Sequence, residues 1–142
     1  MNTFFTTTEY NRWMLVDDDG EILAMLSAAI KTMTGAEVEC YDSPQCALSA
    51  FAATPGKYRL VITDYEMPEM NGAELCRRMR AISPSQEIFL ATGSGRFTEE
   101  EAYQNGFTAL LKKPFPLEAL RETIGHAGIE LALPERASEF YT

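Results

Sequence analysis

The chain has 142 residues, of which 46% are hydrophobic and 23% are charged. This length and composition predict one domain with a full core and exclude an intrinsically disordered protein. The formal net charge of −9 argues against direct binding to nucleic acid or to anionic membranes. No apolar run approaches about 18 residues, and the N-terminus lacks the basic start of a signal peptide. We therefore expect neither a membrane span nor a secretory leader.

Five short apolar segments end abruptly in polar residues and alternate with segments of helical spacing. The apolar segments are Trp13–Val16, the stretch around Val38 and Tyr41, Tyr58–Thr63, Ile88–Ala91 and Ala109–Leu111. They are apolar throughout, which is typical of parallel strands covered by helices on both faces. The sequence therefore predicts an α/β fold, an open and doubly wound parallel sheet of five strands with five helices.

Capping residues frame the predicted helices. The expected starts are Asp19, Ser43 with Pro44, and Thr98 with Glu101 three residues later. Gly35 is a plausible end for the first helix, and we expect the methionines at positions 25, 33 and 79 to fill the core. We divide the chain into an N-terminal arm at 1–12, one domain at 13–127 and a C-terminal tail at 128–142.

The three cysteines, Cys40, Cys46 and Cys76, are odd in number and widely spaced. This pattern predicts free thiols rather than a disulfide framework or a zinc site. We expect each to be a buried small hydrophobic residue. Free thiols fit the reducing cytoplasm, where we expect the chain to reside.

Polar side chains follow four of the predicted strands at the point where each strand ends. They are Asp17 and Asp18 after the first strand, Asp64 after the third, Thr92 after the fourth and Lys113 after the fifth. In a doubly wound sheet, ligands bind at the carboxyl ends of the strands, so we expect these groups to converge. Asp19, which is adjacent, is expected to act as a helix N-cap instead.

Carboxylates gathered at one edge repel each other by about 4 kcal/mol per pair at 4 Å and an effective dielectric constant near 20. A hard divalent cation relieves this repulsion, and Mg²⁺ fits because it accepts one or two carboxylates and leaves room for phosphate. Together with the Lys113 ammonium, such a site would attract a phosphoryl group. A carboxylate can itself act as the nucleophile, and we assign this role to Asp64, which stands alone on a central strand.

Several motifs in the right order resemble the receiver domain of two-component response regulators. They are Val16-Asp17-Asp18, the run from Val61 to Pro68 with Asn71-Gly72, Thr92, and Lys113-Pro114-Phe115. The match covers about residues 13–127. The resemblance implies a flavodoxin-like (βα)5 fold with strand order 2-1-3-4-5.

The resemblance also implies the chemistry. Asp64 would accept a phosphoryl group from a phosphohistidine on a sensor histidine kinase or a histidine phosphotransfer protein. Asp18 and Asp64 would bind Mg²⁺ directly with the backbone carbonyl of Glu66, and Asp17 would assist through water. Lys113 would bind a phosphoryl oxygen, and its peptide bond to Pro114 is expected to be cis. The Thr92 hydroxyl would move onto the phosphoryl group and shift the following loop.

Two positions depart from the family pattern. Leu110 stands where many receivers have Tyr or Phe, and the Glu66 side chain adds negative charge beside the phosphoryl site.

The resemblance implies a partner surface on helix four, strand five and helix five, at about 97–122, for a downstream protein target. Because this surface is acidic, we expect a monomer or a weak dimer.

Two other functions compete with a phosphoryl-accepting switch. Asp17-Asp18-Asp19-Gly20 also resembles the motif of haloacid-dehalogenase-type phosphatases, in which Asp17 would be the nucleophile. That alternative leaves the Asp64 segment unexplained and requires more chain than is present here. A pure interaction module that is never phosphorylated leaves the acids, Thr92 and Lys113 without a role.

Overall fold

The computed structural model describes residues 11–93, residue 95 and residues 97–129. Five parallel strands form one sheet in the order β2-β1-β3-β4-β5. The strands are β1 (Arg12–Val16), β2 (Glu37–Tyr41), β3 (Leu60–Thr63), β4 (Ile88–Thr92) and β5 (Ala109–Lys112). The predicted flavodoxin-like fold and its strand order are therefore confirmed. β1 begins one residue earlier than expected, and β3 begins two residues later than expected.

Five helices connect the strands within the described residues. They are α1 (Gly20–Thr34), α2 (Pro44–Ala53), α3 (Gly72–Ile82), α4 (Glu99–Gln104) and α5 (Leu117–His126). Asp19 accepts hydrogen bonds from the backbone of Glu21 and Ile22, and so caps α1 as predicted. Thr98 and Glu101 form the predicted reciprocal capping box of α4. Gly35 ends α1 in the left-handed region, with φ of 73°.

The core consists of two apolar layers, one on each face of the sheet. On one face, Met14, Val61 and Leu90 pack with residues of α2, α3 and α4, such as Phe51 and Met79. On the other face, Trp13, Leu15, Ile62 and Phe89 pack with residues of α1 and α5. Because both faces of the central strands are covered, the polar groups at the strand ends are directed toward the carboxyl edge of the sheet.

Strand β2 does not fit the prediction that every strand is covered on both faces. It lies at the edge of the sheet, and none of its five residues is fully buried. Its sequence, Glu-Val-Glu-Cys-Tyr, alternates charged and less polar residues, which is typical of an edge strand. Two cysteine predictions are wrong: Cys40 on the edge strand β2 and Cys46 in the first turn of α2 are exposed, whereas Cys76 is buried as expected.

The methionine prediction is confirmed for Met79 and wrong for Met25. The side chain of Met79 is fully buried, whereas Met25 is 69% exposed on the outer face of α1. Within residues 11–129, apart from the two undescribed positions, no helix is long and apolar enough to cross a bilayer. The proposed arm at 1–12 is described only from Asn11 onward, and Arg12 belongs to β1. The tail from residue 130 lies outside the described residues.

Candidate functional site

Hydrogen bonds of the sheet continue past the ends of three strands and fix the residues that follow them. The backbone N–H of Asp17 donates to Tyr41 at 3.1 Å, and that of Asp64 donates to Val16 at 2.9 Å. The N–H of Lys113 donates to the carbonyl of Thr92 at 3.0 Å. These bonds hold the backbone of all three site residues at the same edge of the sheet.

Three carboxylates meet at this edge. One carboxylate oxygen from each of Asp17, Asp18 and Asp64 lies within 4.8 Å of the others. Asp17 is buried, Asp64 is partly buried and Asp18 is exposed, so the cluster opens to solvent on one side. Oxygen donors at this spacing suit a small hard cation. The residue types and their arrangement therefore fit Mg²⁺.

Lys113 supplies the positive charge of the site. Its Nζ donates to Asp17 Oδ2 at 2.5 Å and lies 3.6 Å from Asp64 Oδ1. The Lys113 side chain is only 19% exposed, so solvent screens these interactions less than it would on an open surface. One ammonium thus faces three carboxylates, and the cluster retains an excess of negative charge.

The pKa of Asp64 is raised above its ordinary value. Burial is the largest cause, and the neighbouring carboxylates of Asp17 and Asp18 add to it. The Lys113 charge and a hydrogen bond from the N–H of Tyr65, at 2.9 Å, act in the opposite direction. The charged form of Asp64 is therefore disfavoured in the folded chain by burial and by its like-charged neighbours.

Asp17 and Asp19 have separate roles although they are close in sequence. Asp17 Oδ1 accepts a hydrogen bond from the N–H of Asp19 at 3.0 Å, while its other oxygen binds Lys113. The carboxylate of Asp19 caps α1 and is not part of the acid cluster. The predicted N-cap role of Asp19 is confirmed.

Gly72 brings the start of α3 against the backbone of Asp64. Its N–H donates to the carbonyl of Tyr65 at 2.8 Å. A Cβ at position 72 would lie 2.2 Å from the carbonyl oxygen of Asp64 and 3.1 Å from the Cα of Tyr65. A side chain cannot be accommodated at such distances, so glycine is required here for close approach. The sequence motif contained Gly72, but only the fold reveals this contact.

An aromatic contact joins the loop after β3 to the segment before α4. The rings of Tyr65 and Phe97 are 4.8 Å apart between centroids and are inclined at 61°, a favourable edge-to-face geometry. Asn71 Nδ2 also donates to the hydroxyl of Tyr65 at 3.4 Å. The contact between Tyr65 and Phe97 was not predicted from the sequence, because the pairing depends on how two distant loops lie together.

The remaining predicted positions lie near the cluster or along β5. Thr92 is the last residue of β4 and is buried at 3% exposure. Glu66 is exposed in the loop after Asp64. Lys112 is exposed, because its side chain and that of Lys113 alternate along the chain. The Lys113–Pro114 peptide bond is cis, as expected from the resemblance.

The fold and the site together define a class of protein. A parallel sheet of order 2-1-3-4-5 carries three carboxylates at the carboxyl ends of β1 and β3 and a lysine at the carboxyl end of the edge strand β5. This arrangement is that of a flavodoxin-like α/β domain with a cluster of charged side chains at its carboxyl edge.

Comparisons with known proteins identify the family within this class. Residues 14–125 match the family described as the response regulator receiver domain. A receiver domain structure from Clostridium thermocellum superposes with a TM-score of 0.75 and 26% identity, over 82% of this chain and 92% of that one. The chain belongs to the receiver domain family of response regulators.

Two curated relatives place similar sequences inside much longer proteins. The regulatory protein AtoC of Escherichia coli is 31% identical over 121 residues, which is 84% of this chain but 26% of AtoC. The virulence sensor protein BvgS of Bordetella bronchiseptica is 31% identical over 131 residues, which is 87% of this chain and 10% of BvgS. The chain thus spans about a quarter of the first relative and about a tenth of the second. The comparisons give no support to the phosphatase alternative.

Proposed function

We propose that Asp64 accepts a phosphoryl group from a phosphohistidine in a Mg²⁺-dependent reaction and that this event switches a protein-interaction surface. The donor is a sensor histidine kinase or a histidine phosphotransfer protein, so the chain acts in a phosphorelay. One observation carries the proposal: the Asp64 carboxylate lies among two further carboxylates and 3.6 Å from the Lys113 ammonium. A nucleophile, a cation site and a positive charge therefore lie at one edge.

The transfer step is a displacement at phosphorus. An oxygen of the Asp64 carboxylate bonds to phosphorus while the bond between phosphorus and the imidazole nitrogen of the donor breaks. The electron pair of that bond stays on the nitrogen. The attacking group is the ionised carboxylate, whose charged form is favoured by the Lys113 ammonium 3.6 Å away. The product is an acyl phosphate on Asp64.

Asp17, Asp18 and Asp64, with the backbone carbonyl of Glu66, are the groups that would hold Mg²⁺. When bound, the cation would supply neutralisation of the charge that develops on the phosphoryl oxygens. The close spacing of the three carboxylates supports a cation here. Asp17 is held by Lys113 and by the N–H of Asp19, which favours an indirect role through water.

Lys113 and Thr92 act on the phosphoryl group after transfer. Lys113 Nζ is close enough to Asp64 Oδ1 to bind an oxygen of a phosphoryl group attached there. The Thr92 hydroxyl moves toward the same group and displaces the loop that follows β4. Phe97 in the segment beyond this loop packs on Tyr65, next to Asp64, so both ends of the contact respond to phosphorylation.

The chain's activity is confined to its own phosphorylation and dephosphorylation, without turnover of an external substrate. The surface of α4, β5 and α5 contacts a downstream protein target, and the chain is a monomer or a weak dimer through this face. The net charge of −9 supports protein contacts over direct nucleic-acid binding. Three free thiols support a reducing, cytoplasmic location. Residues 13–127 form the switching domain.

Incubation with acetyl phosphate and Mg²⁺, followed by intact mass measurement, tests the proposal. We expect one added phosphoryl group in the wild type, none in Asp64→Asn and much less when Mg²⁺ is chelated. Asp42→Asn changes an exposed aspartate outside the cluster and serves as the matched control. Phosphorylation that persists in Asp64→Asn, or sustained phosphomonoester turnover that requires Asp17 but not Asp64, would contradict the proposal.

A further inference from the structure

The last residue of β3 is a buried threonine among apolar neighbours. Thr63 is the one polar residue of its strand, and its side chain is fully buried. Its partners in the register of the sheet are Val16 on β1 and Leu90 on β4, which are also buried. A buried hydroxyl costs free energy unless it has a hydrogen-bond partner, whereas valine has nearly the same shape without that cost. Packing alone therefore does not explain a hydroxyl at position 63.

The Thr63 hydroxyl donates to the backbone carbonyl of the next residue. Thr63 Oγ1 lies 2.9 Å from the carbonyl oxygen of Asp64. This carbonyl belongs to the peptide group between Asp64 and Tyr65, and the N–H of the same group donates to Asp64 Oδ1 at 2.9 Å. One peptide group thus accepts a hydrogen bond from Thr63 at its oxygen and donates through its nitrogen to the side chain of Asp64.

Two hydrogen bonds that share a peptide group strengthen each other. Donation to the carbonyl oxygen polarises the group, which makes its N–H a stronger donor. The N–H anchors Oδ1 of Asp64, and Lys113 Nζ lies 3.6 Å from the same oxygen. An anchored oxygen limits rotation of the carboxylate about its bond to Cβ. The Thr63 hydroxyl therefore acts on the Asp64 carboxylate without contact between the two side chains.

The start of α3 confines the same peptide group by packing. Gly72 lies so close that a Cβ there would be 2.2 Å from the Asp64 carbonyl oxygen. The N–H of Gly72 also donates to the carbonyl of Tyr65 at 2.8 Å. The peptide group between Asp64 and Tyr65 is thus held by a hydroxyl from the strand and by the backbone of the helix that follows.

We propose that Thr63 is a positioning residue for phosphorylation, whose hydroxyl orients the Asp64 carboxylate through the peptide group between Asp64 and Tyr65. This inference rests on the proposed function, because it requires Asp64 to be the acceptor. The attacking oxygen must meet phosphorus roughly in line with the leaving group. A carboxylate that rotates freely meets this requirement less often than an anchored one. Thr63 itself forms and breaks no bond in the transfer.

The rate of phosphorylation by acetyl phosphate at saturating Mg²⁺, followed by intact mass over time, tests the role of the hydroxyl. Thr63→Val removes the hydroxyl and nearly keeps the shape, so we expect phosphorylation about threefold to tenfold slower. Thr63→Ser keeps the hydroxyl and should stay within about twofold of the wild type. Thr63→Ala differs from Thr63→Ser only by the oxygen atom and should be as slow as Thr63→Val.

Thr34 provides the matched control, because it is also a buried threonine that donates to a backbone carbonyl. Its side chain is 1% exposed, and its hydroxyl donates to the carbonyl of Ile30 at 2.8 Å. It is the last residue of α1, at the opposite end of the helix from the capping residue Asp19. Thr34→Val should lower the stability to urea about as much as Thr63→Val does and leave the rate of phosphorylation unchanged.

The amide resonance of Tyr65 gives a readout that does not depend on phosphorylation. In the unphosphorylated chain without Mg²⁺, Thr63→Val and Thr63→Ala should move the Tyr65 amide proton upfield and speed its hydrogen exchange, because its hydrogen bond to Asp64 is weaker. Thr63→Ser and Thr34→Val should leave this resonance close to its wild-type position. A loss of stability alone would not produce this pattern.

Three results would overturn the inference. The first is phosphorylation of Thr63→Val at the wild-type rate. The second is equal slowing in Thr63→Ser and Thr63→Ala, which would assign the effect to side-chain volume. The third is a Tyr65 amide that does not respond to Thr63→Val, since the peptide group would then not connect the two side chains.

Failure of this inference can be told from failure of the proposed function. A wild type that acetyl phosphate does not phosphorylate would overturn the proposed function, and the positioning role of Thr63 with it. A wild type that is phosphorylated on Asp64, together with a Thr63→Val variant that is equally fast, would overturn the positioning role alone.

Discussion

Two partly buried carboxylates, Glu39 on β2 and Asp64 after β3, occupy opposite electrostatic environments. Burial raises the pKa of Glu39, but hydrogen bonds from Tyr58, Arg12 and Tyr41 bring it below its ordinary value. The donor distances are 2.7 Å, 2.6 Å and 3.0 Å. Burial also raises the pKa of Asp64, and two further carboxylates add to that rise despite Lys113 nearby. The protein itself supplies the hydrogen-bond donors that stabilise the charge of Glu39. The surroundings of Asp64 disfavour its charge, so a bound cation would stabilise it.

The comparison separates a structural charge from a functional one. At β2, Arg12 also bridges to Glu37 at 2.9 Å, so charged groups cover the edge strand and are paired there. Burial and the hydrogen bond to Glu39 together raise the pKa of Tyr58 to about 12. At the carboxyl edge, removal of charge or addition of a cation should instead be favourable. Perturbed carboxylates of this second kind mark functional sites.

The largest expected effect comes from Gly72→Ala, which acts on the backbone beneath Asp64. The new Cβ would lie 2.2 Å from the Asp64 carbonyl oxygen, so α3 or the loop must move. We expect a loss of about 1–3 kcal/mol in the free energy of unfolding, measured by urea denaturation. Slower phosphorylation by acetyl phosphate should accompany it.

Gly125→Ala is the matched control for Gly72→Ala. Gly125 lies in helix α5, and a Cβ there would meet nothing within 4 Å. We expect its stability to be unchanged or higher by up to about 1 kcal/mol, because alanine is the better helix former. Equal stability of Gly72→Ala and the wild type would mean that the close approach is not required.

Tyr58→Phe tests the hydrogen bonding of the Glu39 carboxylate. It removes the hydroxyl that donates to Glu39 at 2.7 Å and should cost about 1–2 kcal/mol at pH 7. The pKa of Glu39 is lower in the folded chain than its ordinary value of 4.5. Ionised Glu39 therefore contributes to the free energy of unfolding above about pH 4.5, and this contribution is lost as pH falls through the pKa of the folded chain. The difference between wild type and variant should therefore shrink below about pH 4.5.

The exposed Tyr103 offers the control for this change. Tyr103→Phe removes a hydroxyl from a side chain that is 74% exposed, so its effect should stay within about 0.5 kcal/mol. A cost for Tyr58→Phe that does not vary between pH 7 and pH 3 would show that the hydroxyl stabilises the fold through something other than ionised Glu39.

Much of the carboxyl edge could be predicted from the sequence, and much of the β2 edge could not. Asp17 and Asp64 follow apolar runs directly, and parallel strands place such residues at one edge whatever the details of packing. The environment of Glu39 depends on Arg12, Tyr41 and Tyr58, which come from three segments. Their convergence is a property of sheet order, so no local pattern indicates it.

The same distinction explains the errors and omissions at other positions. Cys40 is exposed because its strand, β2, lies at the edge of the sheet, and strand order was available only from the resemblance. The Tyr65–Phe97 contact joins residues that are far apart in the chain, so helical or strand periodicity could not reveal it. The role of Gly72 was hidden because a glycine at a helix start has several ordinary explanations.

Mg²⁺ should stabilise the folded chain by binding to the cluster of Asp17, Asp18 and Asp64, and it should have no effect through Glu39. At a Mg²⁺ concentration ten times the dissociation constant, the wild type should gain about 1.4 kcal/mol in its free energy of unfolding. Asp18→Asn should gain less because it removes one carboxylate of the cluster, whereas Asp42→Asn should gain as much as the wild type. Potassium chloride at equal ionic strength controls for screening, and an equal gain from it would exclude a specific site.

The smallest expected effect is a gain in stability from Asp64→Asn when divalent ions are chelated. Removing one negative charge from the cluster should raise the free energy of unfolding at pH 7 by about 0.5–1 kcal/mol. The folded pKa of Asp64 lies above its ordinary value of 3.8, so ionisation costs stability as pH rises through the folded value. The gain should therefore disappear below about pH 3.8, where wild-type Asp64 is protonated in both states.

Urea denaturation of wild type and Asp64→Asn at pH 7 and pH 3.5 measures this gain, and added Mg²⁺ should reverse its sign at pH 7. Glu39→Gln makes the same chemical change at the satisfied carboxylate and should lower stability at pH 7 instead. If both substitutions shift stability in the same direction, the two carboxylates do not differ in the way that their surroundings imply. We expect the two substitutions to change the free energy of unfolding in opposite directions at pH 7 and by similar amounts at low pH, where both carboxyl groups are protonated.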